Sequence, residues 1–163
     1  MTERNLNLVT DREAFTLVVR AIILADGKLL AVHNRADDYY FPVGGAIHQN
    51  ESSFDAVIRT VHEETGIDME IDRFGFVHEN FYSRNGVRFH EVGLYYYMRE
   101  IPGLEEKLSS GHHTGELCFL PLTSLPETEV YPTFFKTRLL KQSGAIEHIF
   151  TWENSSPGSE DYE

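Results

Sequence analysis

The sequence predicts an α+β domain in which strands outnumber helices. Three observations support this class: two β-rich apolar runs joined by Asp26 and Gly27, a capped helical segment at 52–66, and strand-like runs at 69–81 and 87–99. Asp-Gly between apolar runs is a strong hairpin signal, because both residues tolerate positive φ. A length of 163 residues and a hydrophobic content of 41% fit one domain with its own core.

The remaining elements follow in chain order. A bend punctuated by Pro42, Gly44 and Gly45 leads into the helix, and a glycine- and histidine-bearing loop at 108–115 follows the later strands. A short strand is predicted at 116–122 and a second helix at 133–142. We expect a single domain over 1–152 and an acidic, disordered tail over 153–163.

The first helix has recognisable ends. Ser52 and Asp55 fit a capping box, and Gly66 suits the left-handed residue that closes a helix. At 100° per residue, the apolar stripe consists of Phe54, Val57, Ile58 and Val61, which we expect to face the core. Thr60, Glu63 and Glu64 are predicted to lie on a different side, beside the small residue Ala56.

Composition excludes several classes of function. The formal charge is −12 with only 14 Lys and Arg residues, which argues against a nucleic acid polymer as partner. The single cysteine, Cys118, excludes an intramolecular disulfide, and its apolar surroundings indicate a small buried residue. With no signal-peptide run and no span of about 20 apolar residues, no membrane partner is expected and the cytoplasm is the expected location.

Glu63 and Glu64 are neighbouring carboxylates near the end of the first helix. A rigid element of this kind suits a bound cation better than a loop does. Taken alone, two adjacent glutamates are more often a solvated acidic face. The residues upstream of this pair favour a cation site over a solvated face.

From Gly45 to Ile67 the chain resembles the Nudix box, G-x5-E-x7-R-E-U-x-E-E-x-G-U, in which U is a bulky aliphatic residue. Eight of the nine fixed positions match at strict spacing, and Thr60 is the exception. The matching residues are Gly45, Glu51, Arg59, Val61, Glu63, Glu64, Gly66 and Ile67. The resemblance extends over roughly residues 15–142 and is far more specific than a glycine loop alone.

The resemblance implies the Nudix fold, a mixed β-sheet packed between helices, and hydrolysis of a nucleoside diphosphate linked to another group. It implies Mg²⁺ as cofactor, with Mn²⁺ as a substitute. The family pattern assigns the metal to Glu63 and Glu64, with Glu51 and Gly45 as further contributors. Gly44 and Gly45 would let backbone approach the metal or the diphosphate, although a plain turn explains them too. Arg59 is expected to brace the acids, with phosphate binding as the alternative.

Thr60 stands where the family pattern has a glutamate that often binds metal or deprotonates water. Threonine does not ionise near neutrality and is a poor ligand for a hard cation. A carboxylate from elsewhere could replace it, with Glu91 first and Glu79 and Glu116 as alternatives, though each could instead be an outward strand residue. Otherwise the reaction is slowed, or the domain binds without turnover.

Specificity is harder to predict from the sequence. Tyr40, Arg35, Arg84 and Arg88 are candidate substrate contacts, although each is more often part of the scaffold. His48 could touch phosphate or act as base. His112 and His113, in a glycine-bearing loop, could fold over the ligand, although a mobile, solvated loop explains them more simply.

The sequence therefore favours a magnesium-dependent hydrolase acting on a nucleotide or related small diphosphate. The main rival is a Nudix-like sensor that binds a nucleotide without turnover, and an isomerase on the same fold is a third alternative. The resemblance leaves a homodimer open. Nothing in the sequence identifies the leaving group.

Overall fold

The computed structural model describes residues 4–111, 116–141 and 143–154. Its strands are β1 (Asn7–Val9), β2 (Glu13–Ile22), β3 (Leu24–Ala25), β4 (Lys28–Asn34), β5 (Tyr39–Pro42), β6 (Gly44–Ala46), β7 (Ile71–Arg84), β8 (Val87–Met98), β9 (Leu117–Pro121) and β10 (Glu147–Asn154). Its helices are α1 (Ser53–Thr65), α2 (Leu104–Ser110) and α3 (Phe135–Arg138), with a 3-10 helix at Leu122–Glu127. Within these ranges, no helix has the length and hydropathy needed to span a membrane.

The strands form two sheets. The larger sheet has the order β1-β2-β8-β7-β10, with β6 paired to β2, and the smaller has the order β3-β4-β5, with β9 paired to β4. In the larger sheet β2 runs parallel to β8 and β10 runs parallel to β7, while β7 and β8 are antiparallel. The predicted mixed sheet is confirmed.

Two tight turns set the register of the hairpins. Asp26 and Gly27 have φ of 53° and 75° between β3 and β4, and Asn85 and Gly86 have φ of 51° and 80° between β7 and β8. Positive φ at both central residues is the geometry that Asp-Gly and Asn-Gly turns favour. The predicted hairpin at Asp26 is therefore confirmed.

The larger sheet has helices on both of its faces. Along β2, Val19 and Ala21 belong to a core cluster that contains residues of α1 and α2. Ile22 belongs to a second cluster with Phe135 of α3 and Leu125 of the 3-10 helix. Because side chains alternate along a strand, β2 supplies both cores at once.

Helix α1 has the predicted caps but a different buried stripe. The Ser52 hydroxyl accepts a hydrogen bond from the Asp55 amide, and Gly66 closes the helix at φ 75°. The prediction that Phe54 faces the core is wrong, because its side chain is 53% exposed. The buried residues of α1 are Ala56, Val57, Thr60, Val61 and Thr65. Small residues let the helix lie close to the sheet, so the core stripe is rotated away from Phe54.

Other elements differ from the sequence prediction in extent. The second predicted helix shortens to the four residues of α3, and Leu140 beyond it is 46% exposed. Helix α2 and strands β1 and β10 were not predicted. Strand β10 includes Glu153, whereas 155–163 of the predicted tail lie outside the described residues, as do His112 and His113.

Candidate active site

The last two turns of α1 line a cavity beside β6. The cavity has a volume of about 230 Å³ and is bordered by both box glycines and both adjacent glutamates. Its lining residues are Asn5, Gly44, Gly45, Ala46, His48, Arg59, Thr60, Glu63 and Glu64. Two carboxylates, one guanidinium and exposed backbone thus meet in one small space.

Gly44 is required by a close approach between two strands. It pairs with Arg20 of β2, and a Cβ at Gly44 would lie 2.1 Å from the Val19 carbonyl oxygen. Only glycine fits there, since real Cβ atoms do not come that near to backbone. The Gly44 amide in turn points to Glu64 Oε1 at 3.5 Å.

Arg59 holds two of the acidic residues in place. Its Nε donates to Glu51 Oε2 at 2.7 Å and its Nη2 to Glu51 Oε1 at 2.9 Å, which makes a two-point contact. Its Nη1 donates to Glu63 Oε1 at 2.6 Å, and Nη2 also donates to the Ala46 carbonyl at 3.0 Å. These contacts tie α1 to the loop before it, and the role of Arg59 in the reaction stays a prediction.

The same contacts settle the charge of Glu51. Hydrogen bonds from Arg59 lower the pKa of the Glu51 carboxyl, and the His48 amide, 3.0 Å from Oε1, adds to this. Glu51 is therefore ionised, and both of its oxygens are engaged by Arg59. As a direct metal ligand Glu51 remains a prediction, and its contacts are those of a support for Arg59.

Glu64 is in a different environment. Burial raises the pKa of its carboxyl, and the Gly44 amide and the positive charge of Arg20 partly offset that rise. Glu63 is the more accessible of the pair, with a side chain 55% exposed. The two acids therefore present one shielded and one solvated carboxylate to the same cavity.

Thr60 lies in the cavity wall and is 5% exposed. Its hydroxyl donates to the Val57 carbonyl at 3.2 Å, a common use of threonine inside a helix. Its γ-methyl lies 3.5 Å from where a Cβ at Gly45 would be. The side chain that departs from the family pattern thus packs against the box glycine and directs its proton into the helix.

The three carboxylates considered as replacements lie in different places. Glu79 pairs with His148 at 2.7 Å and His90 at 3.5 Å, and Glu116 pairs with Arg35 at 3.0 Å. Neither lines the cavity. Glu91 is 1% exposed and stands opposite Thr16 of β2, on the sheet face away from α1. Its catalytic role stays a prediction.

The predicted substrate contacts do not gather at the cavity. Arg35 is engaged by Glu116, Arg84 lies over the Phe89 ring at 5.1 Å, and Tyr40 stacks on His33 at 4.4 Å. Arg88 borders a separate open cavity of about 550 Å³. That cavity is larger, but no acidic pair lines it, so the chemistry points to the smaller one.

Arg20 is a residue that the sequence analysis missed. It is 1% exposed, donates to the Pro42 carbonyl at 3.4 Å and supplies the positive charge felt by Glu64. The sequence feature that could have identified it is a single arginine within the apolar run of β2. A buried cation requires a nearby anion, and Glu64 is one.

The donor set suits a magnesium ion shared with a substrate. Among residues 4–111, 116–141 and 143–154, no group of three or more His, Cys, Asp or Glu residues is placed so that it could hold a metal ion. Magnesium does not need such a cage, because it keeps several waters and is often held by one or two carboxylates plus substrate phosphates. Glu63 and Glu64 provide two carboxylates, so the residues fit this mode.

Comparison with known proteins agrees with this geometry. The NUDIX domain model matches residues 14–138. No curated protein matches the chain. The MutT protein from Bacillus halodurans is 15% identical and superimposes with a TM-score of 0.62, over 88% of this chain and 92% of that one. An ADP-ribose pyrophosphatase from Streptococcus suis is 20% identical, with a TM-score of 0.52 over 83% and 98% of the two chains.

At these identities the solved structures establish the fold alone, and the domain match establishes the family. It covers the helix, both glycines and both acids of the cavity. The chain therefore belongs to the Nudix hydrolase family.

Proposed function

We propose that this chain is a magnesium-dependent hydrolase that cleaves the diphosphate linkage of a nucleoside diphosphate derivative or a related small diphosphate. The observation that carries the proposal is the cavity in which Glu63 and Glu64 lie beside the backbone of Gly44 and Gly45. Structural neighbours include an ADP-ribose pyrophosphatase and a UDP-X diphosphatase, whose names fit this class of substrate.

Magnesium bound with the diphosphate would neutralise the phosphate oxygens and increase the acidity of a coordinated water. Glu63 and Glu64 would hold the cation, with the Gly45 backbone close by. Mn²⁺ is expected to substitute, because it accepts the same oxygen ligands. Thr60 would leave one coordination position to water or to substrate.

The protein's own residues then have distinct tasks. Arg59 keeps the Glu63 carboxylate at the cavity edge, and the Gly44 amide orients Glu64. Water adds to one phosphorus, the bond to the bridging oxygen breaks, and the proton leaves to an acidic group in or near the cavity. Glu91 stays the predicted candidate on another strand, although it lies on the sheet face away from α1 and does not line the cavity.

A nucleotide sensor without turnover is the second candidate. It is favoured by one observation, the Thr60 hydroxyl that donates into its own helix where the family pattern has a glutamate. A sensor and an enzyme would both bind a diphosphate with magnesium, but only the enzyme would release phosphate.

The test is a screen of nucleoside diphosphate derivatives with magnesium, in which phosphatase-sensitive products are measured. We expect magnesium-dependent product from at least one class, and none with a chelator present. Tight magnesium-dependent binding without product in any class would assign the sensor function instead.

A further inference from the structure

Strand β10 forms one edge of the larger sheet. It pairs with β7 in a parallel register that runs without a break from Glu147 to Asn154, and no strand pairs with its outer side among the described residues. At 3.3 Å per residue, the outer side offers a row of backbone donors and acceptors about 26 Å long. An open edge of this kind is a site at which another strand can pair.

The two edges of the larger sheet differ in how they are protected. Strand β1, at the opposite edge, has only three residues, and a very short strand is one way in which proteins prevent edge pairing. Strand β10 has eight residues with the sequence EHIFTWEN, and its register with β7 shows no bulge. Lysine, proline and bulges, three further obstacles to edge pairing, are therefore absent from β10.

Two aromatic side chains are exposed on one face of β10. Trp152 is 72% exposed and Phe150 is 49% exposed. Because side chains alternate along a strand, both lie on the same face, and their ring centres are 6.2 Å apart. Trp152 also stacks on Phe81 of β7 at 5.3 Å. The aromatic surface of the sheet thus extends to its open edge, where the rings remain in contact with water.

A second copy of the chain can pair with this edge around a two-fold axis perpendicular to the sheet. Such pairing is antiparallel and places residues of the same face opposite each other. An axis at Phe150 would set Glu147 against Glu153 of the partner subunit, and like charges directly opposite destabilise a strand pair. An axis at Thr151 avoids this contact and still pairs the seven residues 148–154. Axes farther along β10 in either direction pair five of its residues or fewer.

The axis at Thr151 also brings the exposed rings together. Phe150 of each copy then lies opposite Trp152 of the other, and aromatic pairs are among the favourable cross-strand contacts. Alternate residue pairs of an antiparallel ladder exchange two hydrogen bonds each, so seven pairs supply about six to eight. One register therefore satisfies the open backbone and covers the exposed rings.

We propose that β10 is an interaction surface for a second copy of this chain, which pairs with it in antiparallel orientation about Thr151 and joins two larger sheets into one. The inference does not depend on the proposed hydrolysis. The apolar part of the surface is two rings per copy, which is small beside the roughly 800 Å² per partner of a standard interface. We therefore expect a dissociation constant on the order of 10 µM.

The test is sedimentation velocity of the full chain over concentrations from about 1 to about 300 µM, which span the expected dissociation constant. Trp152 is the single tryptophan of the chain, so its fluorescence reports on this surface alone. We expect the mass to double with concentration and the emission to shift to shorter wavelength as Trp152 leaves water. Because each copy carries a net charge of −12, added salt should strengthen the dimer by screening the repulsion. A monomer over the whole range would overturn the inference.

Lysine substitutions test the position of the surface. Phe150→Lys and Trp152→Lys should each raise the dissociation constant at least about 10-fold, because an ammonium group without a partner is unfavourable in a covered strand pair. Phe54→Lys, the same change at a 53% exposed ring on α1, is the matched control and should leave association unchanged. Circular dichroism verifies that each variant is folded, and Phe150→Lys carries the comparison if Trp152→Lys is not. Dimers that persist in the β10 variants, or that are lost equally in Phe54→Lys, would overturn the inference.

An exchange of charges tests the register. A chain with both Phe150→Lys and Trp152→Glu would form two lysine–glutamate pairs about an axis at Thr151, whereas an axis at Phe150 would set lysine against lysine. We expect this double variant to associate at least about 5-fold more tightly than Phe150→Lys alone, since each opposite-charge pair across two strands is favourable. A double variant that associates no more tightly than Phe150→Lys would contradict the pairing about Thr151.

Discussion

The cavity beside α1 and a row of polar side chains across the larger sheet are built in opposite ways. The cavity takes both of its acids from consecutive residues of one helix and is held by a visible set of hydrogen bonds from Arg59. The polar row, which consists of Thr16, Glu91, Asn80 and Thr151, takes one residue from each of four strands, and Thr16 Oγ1 has no hydrogen-bond partner among the described residues. The helix therefore gathers its acids through local sequence, whereas the row is assembled only by strand pairing.

The largest expected effect is on the helix side. Glu64→Gln keeps the shape of the side chain but removes its charge, so we expect magnesium-dependent product release to fall by about 10²–10⁴-fold, the range for losing a positioned catalytic group. Steady-state kinetics with the best substrate of the screen measures this. Glu70→Gln, an exposed glutamate paired with Arg99, is the control and should retain full activity. Unchanged turnover in Glu64→Gln would remove the acid from the mechanism.

In the larger sheet, the expected effect concerns His78 of β7 and is a change in stability with pH rather than a change in reaction rate. His78 is 3% exposed, and burial lowers its pKa to about 4. Its Nε2 lies 2.7 Å from Thr151 Oγ1, which itself donates to Asn80, so His78 is the donor and is neutral.

Because the unfolded chain binds a proton near the ordinary pKa of 6.5, the stability from neutral His78 is complete above pH 6.5 and is lost as pH falls toward 4. The loss should reach about 3 kcal/mol in the free energy of unfolding. Urea denaturation between pH 4 and pH 8 measures it. His78→Gln should flatten this dependence, while His62→Gln, at an exposed position, should not. A curve for His78→Gln that overlays wild type would contradict the assignment.

A change at Arg59 tests whether its hydrogen bonds to Glu51 and Glu63 also stabilise the fold. Arg59→Met removes a two-point contact to Glu51 and the contact to Glu63, and should lower the free energy of unfolding by about 2 kcal/mol, as expected for hydrogen bonds to charged groups. Arg99→Met breaks an exposed pair with Glu70 and should cost less than about 1 kcal/mol. Equal losses in the two variants would show that the Arg59 contacts contribute no more than a surface pair.

The smallest expected effect concerns Thr60. Thr60→Glu would add a third carboxylate to the cavity wall, so we expect the apparent affinity for magnesium to rise about 10-fold, within the range that groups around a metal site contribute. The product-release rate should rise with it. Thr60→Val, which keeps the shape and removes the hydroxyl, should leave the rate near wild type. A lower rate in Thr60→Glu would mean that the cavity is adapted to threonine.

The two regions also differ in how far the sequence could predict them. The box residues lie within 23 consecutive positions, and the caps at Ser52 and Gly66 fix the helix that carries them, so local pattern was sufficient. The core stripe of that helix was misplaced because hydrophobicity favoured Phe54, whereas close packing on the sheet favours Ala56 and Thr60.

The polar row could not be predicted in this way, because its members come together only through strand register. Each of its four row residues is adjacent in sequence to a residue of an aromatic row on the opposite face, and only the pairing shows which neighbour faces inward. The aromatic row consists of Phe15, His90, Phe81 and Trp152. Strand β10 supplies one member of each row, and no sequence signal identified that strand.

The central claim is that Glu63 and Glu64 together capture a divalent cation. Titration of Mg²⁺ into the protein with a methylene-bridged diphosphate analogue, followed by calorimetry, tests it most directly. We predict saturable cation binding that weakens at least about 10-fold in Glu63→Gln and in Glu64→Gln and is unaltered in Glu70→Gln. Equal magnesium affinity in wild type and all three variants would contradict the account.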